Sequence, residues 1–262
     1  MCTLHLFFRV FPGAPVLLAA TRDELLDRPW DPPALLAEAP RIFGPRDVLA
    51  GGTWLGVNEA GVLVSLANHE GTLLTADRSP SLCSRGTQVL EALRRGSAAE
   101  AVTYAEREAP VCKAYTLVVA DPAGAYVVDR SPTGSHTYSL APGCHVVTNA
   151  RFRQPGDVKA TRCLRRMETL AADGTLPSAR HLAEFLSDHE TDSSAVRPLC
   201  IHPKGSSRFG TSSASIVQIA DDRHVERFLF AGGPPCTTEF RDVTPEMPRP
   251  AQGCSPDSPR EP

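Results

Sequence analysis

The opening of the chain constrains its fold most. Two apolar, β-rich runs, residues 4–10 and 16–21, flank the turn pair Pro12-Gly13. Proline presets the first turn position and glycine accepts a positive φ at the second, so the segment reads as a hairpin. A second hairpin runs from Gly51-Gly52-Thr53-Trp54-Leu55-Gly56-Val57 through the turn Asn58-Glu59-Ala60-Gly61 into residues 62–67. A third joins residues 115–120 and 125–129 across Asp121-Pro122-Ala123-Gly124. Residues 138–140 and 145–148 are short strands, and 214–220 and 224–230 form a last hairpin around Asp221-Asp222-Arg223. Between them, residues 84–95, 98–108, 158–172 and 178–188 carry apolar side chains at helical spacing, with Ser97 as a candidate N-cap. Residues 28–47, rich in proline and charge, read as a long surface loop. Hairpins at both ends of a helical middle predict an α+β fold: antiparallel sheets stacked on one another, with helices on the outer faces.

Composition narrows the function classes. The 27 basic and 30 acidic residues leave a net charge of −3, without the basic excess of a nucleic-acid binder. No apolar run approaches the ~20 residues of a membrane span, so no integral membrane association is expected. The first residues lack the charged n-region and cleavage site of a secretory signal, which makes the cytoplasm the expected compartment. Of the 24 prolines, six lie in residues 245–262, where almost nothing is apolar. One domain is therefore expected over residues 1–243, followed by a disordered Pro-rich tail over 244–262. The eight cysteines, at 2, 83, 112, 144, 163, 200, 236 and 254, show neither a disulfide framework nor a Cys-x-x-Cys pair.

Cys2 is the most informative of them. Once the initiator Met is removed, residue 2 would carry a free α-amine beside its thiol. An α-amine titrates at about 7.7–8.0, so it can accept the thiol's proton near neutral pH. One residue is then both nucleophile and base; the alternative is an incidental cysteine at the start of an edge strand. Counting outward from Pro12-Gly13 sets residue 2 beside residues 22 and 23. Arg22 there would favour a thiolate, and Asp23 would hold an ammonium. Read alone, the same two residues are a strand-end charge pair of little energetic value.

These residues, with Leu18-Ala19-Ala20-Thr21-Arg22-Asp23-Glu24, Arg28-Pro29 and the Gly51-to-Val57 segment, closely resemble the NRDE-motif family, also named for transport and Golgi organisation. Leu66-Ala67-Asn68, Ser84-Arg85-Gly86, Thr116-Leu117-Val118-Val119-Ala120-Asp121, Val147-Thr148-Asn149-Ala150 and Phe209-Gly210-Thr211 continue the match in order over about residues 1–242. That family in turn looks like a branch of the N-terminal-nucleophile (Ntn) hydrolases, near the cysteine acylases that cleave penicillin V and conjugated bile acids. The resemblance implies a four-layer αββα sandwich and sets Cys2, Arg22, Asp23, Asn68 and Asn149 on the acylase site positions. An asparagine amide at a strand end can donate to a developing oxyanion, a role worth roughly 3–4 kcal/mol; by itself each asparagine is also an ordinary turn residue. Two departures stand out. Thr21 replaces the first letter of the signature, and Gly210-Thr211-Ser212-Ser213 stands where the family usually has Gly-Thr-Arg, leaving that arginine absent or displaced to Arg208.

The expected activity is that of an amidohydrolase or acyltransferase on a small non-peptide amide or thioester, needing no cofactor. Its rival is a non-catalytic carrier of haem or an acyl lipid, with Cys2, His5 and His69 near the front of the fold as possible axial ligands. Trp54, His69 and Arg208 are the candidate ligand-binding residues, Trp54 being equally a core anchor. Cys200-Ile201-His202 and Cys144-His145 lack a second pair at ligand spacing, so no metal site is expected. Specificity would lie in the loops 28–50 and 69–83; oligomeric state has no sequence signature.

Overall fold

The computed structural model describes residues 2–69, 83–107, 113–131, 134–191, 196–244 and 247. The first half of the chain forms β1 (Cys2–Phe11), β2 (Ala14–Leu25), β3 (Trp30–Glu38), β4 (Arg41–Asp47), β5 (Leu55–Asn58), β6 (Leu63–Asn68), α1 (Arg85–Leu93) and α2 (Ala98–Arg107). The second half adds β7 (Tyr115–Asp121), β8 (Gly124–Ser131), β9 (Gly134–Ser139), β10 (Gly143–Val147), α3 (Val158–Leu170), α4 (Ala179–Leu186), β11 (Phe209–Ile219), β12 (Val225–Ala231) and β13 (Arg241–Asp242). The opening hairpin turns at Pro12-Gly13, where Gly13 takes a φ of +72°. Its register pairs Cys2 with Arg22 and Leu6 with Leu18, and slips between Phe8 and Phe11, where Arg9 adopts a positive φ.

The strands form two antiparallel sheets. One has six strands in the order β10-β1-β2-β11-β12-β13; the other has seven, β3-β4-β5-β6-β7-β8-β9. Period-two alternation divides each strand between two cores. Leu4, Leu6, Leu18 and Val217 of the first sheet meet Leu55, Val57, Leu63 and Val127 of the second in the central core. The opposite face of the first sheet, with Phe7, Leu17, Ala19 and Ile216, packs on Cys163 and Met167 of α3 and Leu182 and Phe185 of α4. The outer face of the second sheet, with Val64, Leu117 and Val119, packs on Val89 and Leu93 of α1 and Ala101 and Val102 of α2. The result is an αββα sandwich. Burying each of the large apolar side chains in these layers contributes about 1.5–3 kcal/mol.

Helix boundaries follow local signals. Asp157 caps α3 and Ser178 caps α4 through side-chain bonds to Ala160 N and His181 N. Before α2, Ser97 accepts from Glu100 N while the Glu100 carboxylate accepts from Gly96 N, a reciprocal capping arrangement.

The expected loop over 28–47 is instead the hairpin β3–β4. Proline removes a ladder donor, so Pro32 and Pro33 argued against a strand; they are tolerated because β3 is an edge strand whose register slips between Asp31 and Ala34. The last hairpin also begins earlier than expected, at Phe209 rather than residue 214. Residues 70–82 of the expected specificity loop, and the tail apart from 244 and 247, lie outside the described residues. Among those described, no helix is long and apolar enough to cross a membrane.

Candidate functional site

The site is built from strand register. Cys2 begins β1 on the face that looks between the sheets, only 5% exposed, and joins the central core with Trp54 and Ala67. Its ladder partner Arg22 is equally buried. The Arg22 guanidinium carbon lies 4.2 Å from the centroid of the Trp54 ring, and Nη1 donates to Ser212 Oγ at 2.8 Å. Nη2 is 3.9 Å from Asp47 Oδ2, which Arg28 holds from the other side at 2.8 Å. A buried cation thus has an aromatic face, a hydroxyl and a carboxylate around it, the set of partners that makes guanidinium burial affordable. Burial draws Arg22 below its ordinary pKa, opposed by Cys2, Glu24 and Asp47. Burial likewise pushes the Cys2 thiol up; Asp23 adds to that shift and Arg22 opposes it.

Asp23, one residue along, belongs to the helix-covered face. Its Oδ1 accepts from Thr211 Oγ1 at 2.7 Å, and Thr211 Oγ1 in turn accepts from Ile201 N at 2.8 Å. Burial raises the Asp23 pKa, while Lys159 and the Thr211 hydrogen bond lower it. Asp23 opens onto a cavity of about 260 Å³ shared with Thr148, Asn149, Lys159, Arg197 and Ile201.

Asn149 reaches the same place from the other neighbour of β1. The β1–β10 ladder pairs Leu4 with Val147; continued by two residues, that register sets Asn149 opposite Cys2. Asn149 Nδ2 donates to the backbone carbonyl of Asn68 at 2.6 Å, joining the two asparagines across 81 positions and across the two sheets. Asn68 therefore enters this contact through its main chain, and its Oδ1 is buried without a hydrogen-bond partner among the described residues. An amide nitrogen carries two N–H groups, so Asn149 keeps one beyond the bond to Asn68.

Cys2, Arg22, Asp23, Asn68, Asn149 and Trp54 are thus brought together, whereas His69 and Arg208 are not. His69 lies 2.8 Å from Thr116 Oγ1 and 3.5 Å from Asp129, and lines a separate cavity of about 360 Å³ with His136, Tyr138 and Arg151. Arg208 stands one residue before β11, 69% exposed and ion-paired with Asp27. His5 faces α4, edge-on to Phe185, with Nδ1 at 2.9 Å from Ala19 O. The axial set Cys2, His5 and His69 is therefore spread over three environments: period-two alternation separates His5 from Cys2, and the strand end at Asn68 directs His69 elsewhere. Gly52, two residues before Trp54, serves packing, since a Cβ on it would lie 2.2 Å from the backbone of Gly86 at the start of α1.

Sequence reasoning missed Ser212, Thr211 and Asp47. Ser212 occupies the position where an arginine was expected; its Oγ accepts from Arg22 Nη1 and donates to the Arg22 backbone carbonyl at 3.2 Å. The departure at that position was the signal, but its meaning depends on β11 lying directly beside β2, with Ser213 opposite Arg22. The expectation of no metal site rested on spacing along the sequence, which does not register neighbours in space. Cys200-Ile201-His202 does have a second pair, His189 and Cys236, supplied by chain segments distant in sequence. Cys144-His145 has no such counterpart among the described residues; His145 Nε2 lies 2.8 Å from Ala141 O.

The class defined by the fold and the site is a four-layer αββα sandwich with a cysteine at the start of its first strand. The family model described as Transport and Golgi organisation 2 matches residues 1–228, and the chain belongs to that family. No curated protein matches the chain significantly. Among solved structures, the C2A mutant of conjugated bile acid hydrolase from Clostridium perfringens superimposes with a TM-score of 0.56 at 11% identity, over 92% of this chain and 96% of that one. The Caenorhabditis elegans ortholog of N-acylethanolamine-hydrolyzing acid amidase gives 0.55 at 14% identity, over 84% and 93%. Penicillin V acylase from Agrobacterium tumefaciens gives 0.50 at 14% identity, over 93% and 86%. At these identities the likeness is one of fold.

Proposed function

We propose that the protein is an N-terminal cysteine amidohydrolase or acyltransferase acting on a small non-peptide amide or thioester. One observation carries this reading: a buried thiol, a guanidinium and a carboxylate meet at adjacent strand ends, beside an asparagine amide with an N–H to spare. A structural charge pair would have no reason to surround the first thiol of the chain in this way. The hydrolase neighbours support the same chemistry as a class.

With Met1 removed, the α-amine of Cys2 takes the thiol proton as sulfur attacks the carbonyl carbon. The tetrahedral oxyanion is met by the second N–H of Asn149, which the Asn68 carbonyl holds in place. As the C–N or C–S bond breaks, the ammonium returns its proton to the leaving group, leaving an acyl thioester on Cys2. Water, deprotonated by the same amine, then attacks the thioester and releases a carboxylic acid; an acceptor amine in its place gives transfer. Arg22, still cationic despite its burial, opposes the upward shift of the thiol, and Asp23 stabilises the ammonium. Apart from water or the acceptor amine, every acid, base and nucleophile in these steps is a group of the chain itself.

The test begins with intact mass, which should show loss of Met1; a retained Met removes the base and overturns the mechanism. The Met-free protein, challenged with a chloromethyl ketone, should label at Cys2 far faster than at its other thiols. Turnover of a panel of N-acyl amines and acyl thioesters should follow, and disappear in Cys2→Ser. Equal labelling of all thiols with no turnover would favour a carrier.

A further inference from the structure

Away from Cys2, the fold gathers four side chains that the chemistry above does not use. His189 follows α4, Cys200 and His202 precede β11, and Cys236 lies between β12 and β13. Their ligand atoms all lie within 4.8 Å of one another. Cys200 Sγ is 3.4 Å from Cys236 Sγ, and His202 Nε2 is 3.1 Å from both Cys236 Sγ and His189 Nε2. Cys200 Sγ to His202 Nε2 is 3.9 Å. Zinc bonds of about 2.3 Å to sulfur and 2.0–2.1 Å to nitrogen, arranged tetrahedrally, require ligand–ligand edges of roughly 3.3–3.8 Å. The observed edges bracket that range. A disulfide would need its sulfurs at about 2.05 Å, far inside the separation seen.

We propose that His189, Cys200, His202 and Cys236 bind a structural zinc ion. Two thiolates and two imidazoles are a set suited to Zn²⁺, whereas Mg²⁺ and Ca²⁺ require oxygen ligands. Four protein ligands leave no open position, so the ion braces the fold and does not activate water. Binding exchanges two thiol protons for one dication, so the site gains no net charge and two protons pass to solvent.

The ligands stand on a frame that is already tied together. Cys200 N donates to Asp188 O at 2.9 Å, and the Asp188 carboxylate ion-pairs with Arg162 and Arg166 of α3. Ile201, between two ligands, donates its N–H to Thr211 Oγ1, and its carbonyl accepts from Thr211 N at 2.8 Å. Thr211 is the hydrogen-bond donor to Asp23. The ion would therefore fix the segment that bounds the Asp23 cavity, although it lies outside the reacting groups.

The full-length chain, prepared without a histidine tag, reduced, loaded with Zn²⁺ and desalted, should retain about one zinc per chain. Co²⁺ in place of Zn²⁺ should give thiolate-to-cobalt charge transfer and the intense visible bands of a tetrahedral site. Cys236→Ala should weaken binding roughly 100-fold or more, the scale on which even outer-shell defects act, while Cys144→Ser should retain the metal. If Cys236→Ala fails to fold, the cobalt spectrum of the unaltered chain still decides. Retention below about 0.1 zinc per chain, weak octahedral cobalt bands, or a Cys200–Cys236 cross-linked peptide from freshly purified protein would overturn the proposal. Every readout is metal content or ligand set, so its failure is independent of whether Cys2 is a nucleophile.

Discussion

Two cysteine-containing clusters, one in the six-stranded sheet and one in the loops that flank its strands, are made in different ways. Around Cys2 the partners arrive by strand register: Arg22 is the ladder neighbour, Asp23 follows it, and Asn149 continues the strand on the other side. Around Cys200 the partners arrive by loops, from the end of α4, the approach to β11 and the turn region after β12. The first cluster holds charges in a buried place, where burial shifts every titratable member away from its ordinary range. The second combines one buried and one half-buried thiol with two exposed imidazoles, and has no carboxylate or guanidinium among its ligands. The contrast teaches that strand register alone can set side chains about Cys2, from a near neighbour such as Arg22 and from one as distant in sequence as Asn149. A metal site instead ties together segments that the sheet alone does not hold.

The comparison can be broken at several points. The largest effect is expected from Cys2→Ala, which should lower turnover by on the order of 10³-fold or more and leave zinc content unchanged, as activity and metal assays on one preparation would show. Turnover that survives would end the assignment of separate roles. Next, Trp54→Ala removes a core ring and the face on which Arg22 rests, and should destabilise the fold by about 3–5 kcal/mol, read from denaturant titration. Asn149→Ala removes the spare N–H and should reduce kcat by roughly 10²–10³-fold with a smaller change in KM.

His5 is packed on Phe185 of α4, the helix that leads to His189. Burial lowers its pKa from 6.5 to about 3, and its Nε2 has no hydrogen-bond partner among the described residues. The unfolded chain therefore binds a proton below pH 6.5 that the folded chain accepts only near pH 3. The stability due to neutral His5 is complete above 6.5 and falls as pH drops through that window, by about 1.4 kcal/mol per unit. Urea midpoints measured across it should show that slope, and His5→Phe should flatten it. The smallest effect is expected from Cys236→Ala on turnover, a few-fold loss transmitted through Ile201, Thr211 and Asp23; a loss equal to that of Cys2→Ala would merge the two clusters into one site.

Much of this molecule was legible in advance where the rules are local. Pro12-Gly13 set the first turn, and with it the pairing of Cys2 with Arg22 followed by counting. Helical periodicity located α1 to α4, and Ser97 marked the start of α2. Pro32 and Pro33 misled because proline forbids a central strand but is harmless on an edge, and edge position is a property of the sheet. His69 and Arg208 stand apart from the Cys2 cluster: the strand end after Asn68 sets His69 against Thr116 and Asp129, and Arg208 is exposed before β11, paired with Asp27.

By itself, then, the sequence determined the hairpins, the helices, the thiol at position 2 and the arginine and aspartate beside it, because short-range sterics and a two-residue period govern all of these. The tertiary structure alone decided that Ser212 would face Arg22, that Asn149 would grasp the Asn68 backbone, and that His189, Cys200, His202 and Cys236 would converge. Those contacts join residues up to 190 positions apart, and they exist only once burial of the cores has brought distant strands and loops together, Asn149 and Asn68 across the two sheets and the others around one of them.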